Sequence, residues 1–242
     1  MLAPVIVAAA LVAYNTVANL LPLPARWYVP TNLAVAAGLA AWAVATGLAP
    51  ASIVGDDPAA GLAAGLGVAA AAAAAFATLL GLSRRHRSIR RALADQRAAD
   101  MSPTTLSWHI LVRIPLGTVV LEEVAFRGVL LAAFAGPLAT TRAVVASSVA
   151  FGLWHIGPTI PTLRTNRITD PARTVLGVAG AVVVTTVGGV GLCVLRLASA
   201  SLVAPALAHW AINASGLAAA AAVHRRGHTT GAVDQPRRYG RQ

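Results

Sequence analysis

The chain has 242 residues, of which 57% are hydrophobic and only 11% are charged, and its net charge is +11. A soluble domain of this length needs more polar surface to cover its core, so the composition excludes an ordinary soluble fold and indicates a membrane protein. The basic residues are all arginines, and they cluster between and after the apolar runs without a nucleic-acid-binding motif. This placement favours membrane topology signals and lipid contacts over nucleic-acid binding.

Seven apolar runs predict an all-α polytopic bundle of transmembrane helices. The runs cover residues 2–21, 32–54, 59–82, 104–135, 142–156, 175–195 and 201–223. The first run lacks a positively charged start, so we expect a retained helix rather than a cleaved signal peptide. Asn15 and Asn19 lie four residues apart in it, which predicts that they share one face and pack against a neighbouring helix. The single cysteine, Cys193, excludes intramolecular disulfides and a cysteine-rich metal site.

The connections between the runs have distinct characters. The stretch 55–58 reads as a tight acidic turn, 83–100 as an arginine-rich surface helix, and 158–171 as a polar loop. The fourth run would be roughly 48 Å long as a helix, more than the ~30 Å hydrocarbon core, so it must tilt, break or begin outside the bilayer. Pro115 is its natural kink. Glycines at 188–191 allow close helix approach or a bend in the sixth run.

Arginine placement also predicts the orientation of the bundle. With seven spans and the N-terminus outside, most of the 19 arginines fall on the cytoplasmic side, as the positive-inside rule requires. The prediction is therefore one transmembrane domain over residues 1–223, N-terminus out and C-terminus in. Its motif-bearing core covers about 104–223, and a basic, disordered cytoplasmic tail follows over 224–242.

The polar groups inside the spans point to a functional site. Glu122 and Glu123 are the only glutamates in the chain, and ionisable residues inside a membrane helix mark functional sites by default. Glu123 and Arg127 are four residues apart and can pair on one helix face, whereas Glu122 points about 100° away. His155 ends the fifth run, and His209 shares a face of the seventh run with an amide four residues later, Asn213.

One carboxylate and two imidazoles in a dry cavity suit hydrolysis. A buried glutamate can take a proton from water, a histidine can orient that water, and a second histidine with an asparagine can donate hydrogen bonds to an oxyanion. The same side chains could instead hold a zinc ion with an open position for water, the ligands being Glu122, His155 and His209. The spacing of the residues leaves both versions open.

Three ordered motifs resemble those of the CPBP family, the CAAX-protease and bacteriocin-processing intramembrane proteases, also called Abi proteins or type II CAAX prenyl endopeptidase-like. They are Glu122-Glu123-x-x-x-Arg127, Phe151-x-x-x-His155 and His209-x-x-x-Asn213, on three separate spans. Each motif is weak alone, but together in order they are specific. The first three spans add little, because that part varies within the family.

The resemblance implies an intramembrane endopeptidase that cleaves a membrane-associated or CAAX-like protein or peptide at the lipid bilayer. It implies that Glu122 activates water with help from His155, and that His209 and Asn213 stabilise the oxyanion. It implies that Glu123 and Arg127 pair and hold the site. The better-understood members look like glutamate peptidases, so we favour the version without a catalytic metal. Sequence reasoning assigns packing of the pocket wall to Phe151.

The sequence also allows other interpretations of these residues and of the function. The pair formed by Glu123 and Arg127 could be purely structural, and Trp154 and Trp210 are predicted to be packing or interfacial aromatics. A proton-coupled transporter would need matching broken helices in two halves, which the chain does not show. A non-catalytic membrane scaffold or bacteriocin-immunity protein would keep the same residues for stability. The arginine-rich, lysine-free composition predicts a high-GC bacterium and therefore a bacterial plasma membrane.

Overall fold

A computed structural model describes residues 2–21 and 24–233, with side chains placed as far as Arg226. The described residues are overwhelmingly helical and form no β-strand, apart from an isolated bridge between Gly55 and Ser201. The prediction of an all-α architecture is therefore confirmed.

Six described helices are long and apolar enough to cross a membrane. They cover Leu2–Leu20, Ala25–Ala45, Pro58–Leu82, Thr140–Thr165, Pro171–Ala198 and Val203–Arg226. Their outer faces carry large exposed apolar side chains, such as Val183, Val184 and Val187, which a soluble protein would bury and a bilayer would cover. The protein is thus an integral multi-pass membrane protein; the count of seven spans and the orientation stay predictions.

A further long helix, residues 103–135, carries the two glutamates, and we call it the glutamate helix. It starts at Pro103, where the Ser102 side chain caps the Thr105 amide, and it alternates between α-helical and π-helical turns. The first π segment, His109–Val119, contains Pro115. The helix continues through this proline with π-helical turns, so the predicted break is absent, and a kink there stays a prediction.

The glutamate helix lies at the centre of the bundle. Its neighbours are the second helix (Tyr28–Ala45), the Phe151 helix (Thr140–Trp154) and the C-terminal helix (Val203–Val233). The buried apolar side chains of the core gather around it. They include Leu121, Phe126, Leu130, Phe134, Phe151 and Trp154. Between residues 121 and 131, where the charges lie, every residue of this helix except Val124 is buried, and protein-lined interiors are where charged groups in a bilayer are tolerated.

Two predicted boundaries are wrong. The second run does not continue as one helix to residue 54, because the second helix ends at Ala45, Gly47 adopts a positive φ of 101°, and a separate short helix, Pro50–Val54, follows. The predicted polar loop 158–171 is helical over Ile156–Thr165. Three threonine hydroxyls in that helix donate to carbonyls one turn earlier, so these polar groups are satisfied within the helix; they belong to Thr159, Thr162 and Thr165.

The arginine-rich connection and the tail also differ from expectation. Only Arg87–Leu93 and a short 3₁₀ turn, Gln96–Ala98, are helical in the predicted surface helix 83–100. The C-terminal helix runs on to Val233, into the segment predicted as a disordered tail. The rest of the predicted tail, 234–242, lies outside the described residues.

Candidate active site

The two glutamates lie at a change of helical register. An α-helical turn ends at Glu122, and the π segment Glu123–Leu130 begins at the next residue. Both side chains are buried, with exposed fractions of 6% for Glu122 and 1% for Glu123. π-helical turns inside helices often mark functional sites. Because adjacent helical residues point about 100° apart, the two carboxylates reach different partners.

Glu123 is held from two sides. Its Oε1 accepts a hydrogen bond of 3.1 Å from the Arg127 guanidinium and one of 2.7 Å from His209 Nδ1. The predicted ion pair is therefore present, and Arg127 is only 1% exposed. Because an ionised carboxylate only accepts, the Nδ1 of His209 carries the hydrogen, and its Nε2 is free for another task.

Glu122 has a different environment. Its Oε1 accepts a hydrogen bond of 3.0 Å from the indole nitrogen of Trp154. Its Oε2 is buried, has no hydrogen-bond partner in the described part of the chain, and lies 3.7 Å from the Nε2 of His209. One oxygen of Glu122 is thus fixed by the protein, and the other is left for a proton or a water molecule.

The ring of Phe151 lies between the Arg127 guanidinium and the two histidines of the site. The Arg127 guanidinium carbon lies 3.9 Å from the ring centroid, and the imidazoles of His155 and His209 approach it edge-on at 4.6 Å and 6.0 Å. The long helix Pro171–Ala198 approaches closely behind this ring, since a Cβ on Gly189 would lie 3.2 Å from Phe151. Phe151 therefore packs as predicted and also sets the spacing between the site residues.

His155 sits where the Phe151 helix ends and the next helix begins. Its Nδ1 lies 2.8 Å from the carbonyl oxygen of Phe151, an acceptor, so the hydrogen is on Nδ1 and Nε2 is the bare nitrogen. The side chain is half-buried, in contrast to the fully buried glutamates. This position allows the ring to contact both the interior of the site and an incoming water or substrate.

The structure brings some predicted residues into direct contact and leaves others apart. Glu122, Glu123, Arg127 and His209 form one contact network, which we call the buried quartet. His155 joins it through the ring of Phe151. Asn213 is half-buried on the C-terminal helix, one turn after His209, and forms no side-chain hydrogen bond with the described residues.

Trp154 is the site residue that sequence reasoning missed. It is 2% exposed and bonded to Glu122, so its interpretation as an ordinary packing or interfacial aromatic is incomplete. Trp210 fits that interpretation better, because its indole donates to the backbone carbonyl of Ile110. The sequence could have indicated Trp154 by its spacing, because it lies three residues after Phe151 and therefore on the same helical face.

The residues of the zinc alternative do not form a ligand set in this arrangement. Among the described residues, no group of three or more histidine, cysteine, aspartate or glutamate side chains is placed to hold a metal ion. One oxygen of Glu122 is bonded to Trp154, and the Nδ1 of His209 is bonded to Glu123, which leaves Glu122 Oε2 and His209 Nε2 open. The choice between the zinc version and the metal-free version stays a prediction.

Comparison with known families matches residues 104–215 to the family described as type II CAAX prenyl endopeptidase Rce1-like. The match covers all three motifs and confirms the family resemblance over this region. Neither the curated proteins nor the solved structures give a match to the chain.

Proposed function

Because residues 104–215 match the family described as type II CAAX prenyl endopeptidase Rce1-like, we propose that this membrane protein is an endopeptidase that hydrolyses a peptide bond with a water activated by Glu122 and His155. The observation that supports this most directly is the Oε2 of Glu122, which is buried, has no hydrogen-bond partner within the residues that the structure describes, and faces an imidazole. A carboxylate oxygen left open in a protected site is what a general base needs.

Glu122 and His155 would have different roles toward the attacking water: Glu122 accepts its proton and His155 orients it. Trp154 occupies one oxygen of Glu122 and leaves Oε2 to accept the proton of the attacking water. His155 keeps its hydrogen on Nδ1, toward the Phe151 carbonyl, so its bare Nε2 can accept a hydrogen bond from the same water. After attack on the scissile carbonyl, the proton held by Glu122 can pass to the leaving amine.

His209 and Asn213 would stabilise the oxyanion. The Glu123 carboxylate fixes the Nδ1–H of His209, so a proton on Nε2 turns this nitrogen into a hydrogen-bond donor at the site. The amide of Asn213, one turn along the same helix, supplies a second donor. Two preorganised donors in a water-poor site are the arrangement that stabilises a tetrahedral intermediate.

The experiment compares membranes containing the wild type with membranes containing Glu122→Gln at matched expression. New peptide N-termini are profiled by mass spectrometry in both, with Asp56→Asn, an exposed carboxylate in the acidic turn, as the control. We expect cleavages that disappear with Glu122→Gln and persist with Asp56→Asn. They would also identify the substrate as a prenylated CAAX protein, a peptide leader or another membrane protein. Identical profiles from folded proteins would favour the scaffold or immunity role.

We also propose that the hydrolysis needs no metal. The expected result is that purified protein keeps its cleavage activity after exhaustive treatment with a chelator, and that added zinc does not raise it. Metal content measured by mass spectrometry on the same samples is the control. Loss of activity on chelation with full recovery on zinc addition would instead establish the zinc-dependent mechanism.

A further inference from the structure

We infer that Trp154 is a positioning residue for Glu122, and that the first helix (Leu2–Leu20), outside the family-matched region, fixes Trp154 through Asn15. The inference rests on the proposed function of Glu122 as the general base. It assigns a role to a helix that carries none of the three motifs.

The contacts form an unbroken chain from the first helix to the base. The side-chain amide of Asn15 donates a 2.8 Å hydrogen bond to the backbone carbonyl of Trp154, and the Trp154 indole donates to Glu122 Oε1 at 3.0 Å. Asn19 holds Asn15 in the required orientation, because its amide donates to Asn15 Oδ1 at 2.9 Å. With Oδ1 occupied as an acceptor, the NH₂ group of Asn15 faces Trp154. Asn15 and Trp154 are buried.

The place where Asn15 binds explains why the bond matters. Trp154 is the last residue of the Phe151 helix, and the last carbonyls of a helix have no partner inside it. Asn15 supplies that partner one residue before His155. The first helix also touches the chain just beyond, since a Cβ on Gly157 would lie 2.7 Å from the Cα of Thr16. The first helix therefore fixes the helix end that carries both Trp154 and His155.

The indole bond selects which oxygen of Glu122 is reactive. Without the Trp154 N–H, both oxygens lack a fixed donor, and the carboxylate can rotate about its terminal torsion, which has broad minima. With it, Oε1 is held and Oε2 faces His209. A base displaced by about 1 Å loses rate without losing substrate affinity, so the effect belongs in kcat.

The first readout is cleavage of an internally quenched peptide that ends in a farnesylated CAAX sequence, by purified full-length protein. We expect Trp154→Phe to lower kcat by about tenfold, the loss of one hydrogen bond to a charged acceptor, with KM changed less than twofold. The control Trp210→Phe removes an indole bonded only to a backbone carbonyl and should leave both constants unchanged. Asn15→Leu should lower kcat by about threefold, and Thr16→Val, which loses only a bond within its own helix, should not.

The second readout does not depend on activity. A membrane-permeant carbodiimide modifies carboxyl groups in apolar surroundings, and mass spectrometry gives the labelled fraction of Glu122. We expect Trp154→Phe and Asn15→Leu to raise that fraction at least about threefold, with no change in Trp210→Phe. Equal labelling in all variants, whether high or absent, would overturn the inference. If the wild type fails to cleave the peptide while labelling still responds to Trp154→Phe, the positioning holds and the proposed substrate or activity is what fails.

Discussion

At the scale of single residues, the charges of the buried quartet both compensate one another and orient His209. Glu123 and Arg127 neutralise each other, and Glu123 also orients His209, whose second nitrogen faces Glu122. Three buried atoms of this set, Glu122 Oε2, Glu123 Oε2 and one terminal nitrogen of Arg127, have no hydrogen-bond partner among the described residues. Such groups cost free energy, which is a mark of a site shaped for chemistry more than for stability.

Arg127→Leu is expected to destabilise the protein strongly. Removing one partner of a buried ion pair leaves the other charge uncompensated, at a cost of about 3–5 kcal/mol. Thermal unfolding in detergent, compared with Arg142→Leu at an exposed arginine, measures the difference. The double variant Glu123→Gln with Arg127→Leu should recover part of the loss, because it removes both charges. A single variant as stable as Arg142→Leu would show that the pair contributes nothing to the fold.

Much of this site could be predicted from the residues alone. The ion pair follows from the four-residue spacing of Glu123 and Arg127, and the separate environment of Glu122 follows from its position one residue earlier. The bond from Trp154 to Glu122 could not be predicted, because it joins residues 32 apart on two helices whose crossing only the packing defines. The contact between His209 and Glu123, across 86 residues, was hidden for the same reason.

At the scale of elements, small residues decide how closely the helices approach. The Phe151 helix crosses the helix Pro171–Ala198 at Gly152, where an added Cβ would lie 2.7 Å from the carbonyl oxygen of Val182 and would contact the Thr186 hydroxyl. The glycine-rich stretch 188–191 makes the predicted close approach, through one of its three glycines. Gly189 lies against Phe151, but Gly188 has open space beside it. Sequence pattern indicates a close approach but does not say which glycine makes it.

Gly152→Ala should therefore destabilise the bundle, whereas Gly188→Ala should not. The first change forces a methyl group against backbone, at a cost of about 1–3 kcal/mol. The second fills open space and removes a glycine from a helix interior, for a gain of about 0.5–1 kcal/mol. The melting temperatures of the two purified variants, each compared with the wild type, should therefore fall for Gly152→Ala and rise for Gly188→Ala. A shift of the same sign and size in both would contradict the packing described here.

A second element-scale contact ties the arginine-rich segment to the bundle. The Asp95 carboxylate accepts hydrogen bonds from the backbone and side chain of Arg97 and from the side chain of Asn166. Burial alone would raise the pKa of Asp95, but these hydrogen bonds and the Arg97 charge outweigh it and hold the pKa below its ordinary value. A lowered pKa means that the contact stabilises the fold above the ordinary aspartate value and is lost as the pH falls through the folded-state pKa.

We expect the amides of residues 96–98 to be protected from hydrogen exchange at neutral pH. After correction for intrinsic rates, that protection should stay constant down to about pH 4 and disappear only below it. Asp95→Asn should exchange faster at every pH, and Asp100→Asn, an exposed carboxylate nearby, should behave as the wild type. Protection lost already between pH 6 and 5 would contradict a lowered pKa for Asp95.

At the scale of the whole molecule, helices outside the family-matched region also hold the glutamate helix in place. Residues 104–215 contain the motifs, yet the second helix supports the glutamate helix from outside that region. Asn32 donates a 2.6 Å hydrogen bond to the Gly117 carbonyl within the first π segment and accepts one from Tyr14. The apolar runs predicted this bundle because hydropathy reports burial in lipid. They could not predict the π turns, whose backbone bonding depends on partners such as Asn32.

The orientation of the bundle can be tested with one helix. Pro58–Leu82 has 25 residues, or about 37 Å of helix, enough to cross the ~30 Å core. Asp56 lies just before it and Ser88 beyond its other end, and both are exposed. Cysteines at these two positions, in a Cys193→Ala background, should therefore be on opposite sides of the membrane.

The positive-inside rule predicts which of the two positions faces the cytoplasm. The arginines that surround Ser88 are favoured on the cytoplasmic face, so Ser88→Cys should react with a membrane-impermeant maleimide only in inverted vesicles. Asp56→Cys should react in intact cells. Labelling in the reverse pattern would place the N-terminus inside. Labelling of both cysteines from one side would mean that Pro58–Leu82 does not cross the bilayer, and the count of spans would then have to fall.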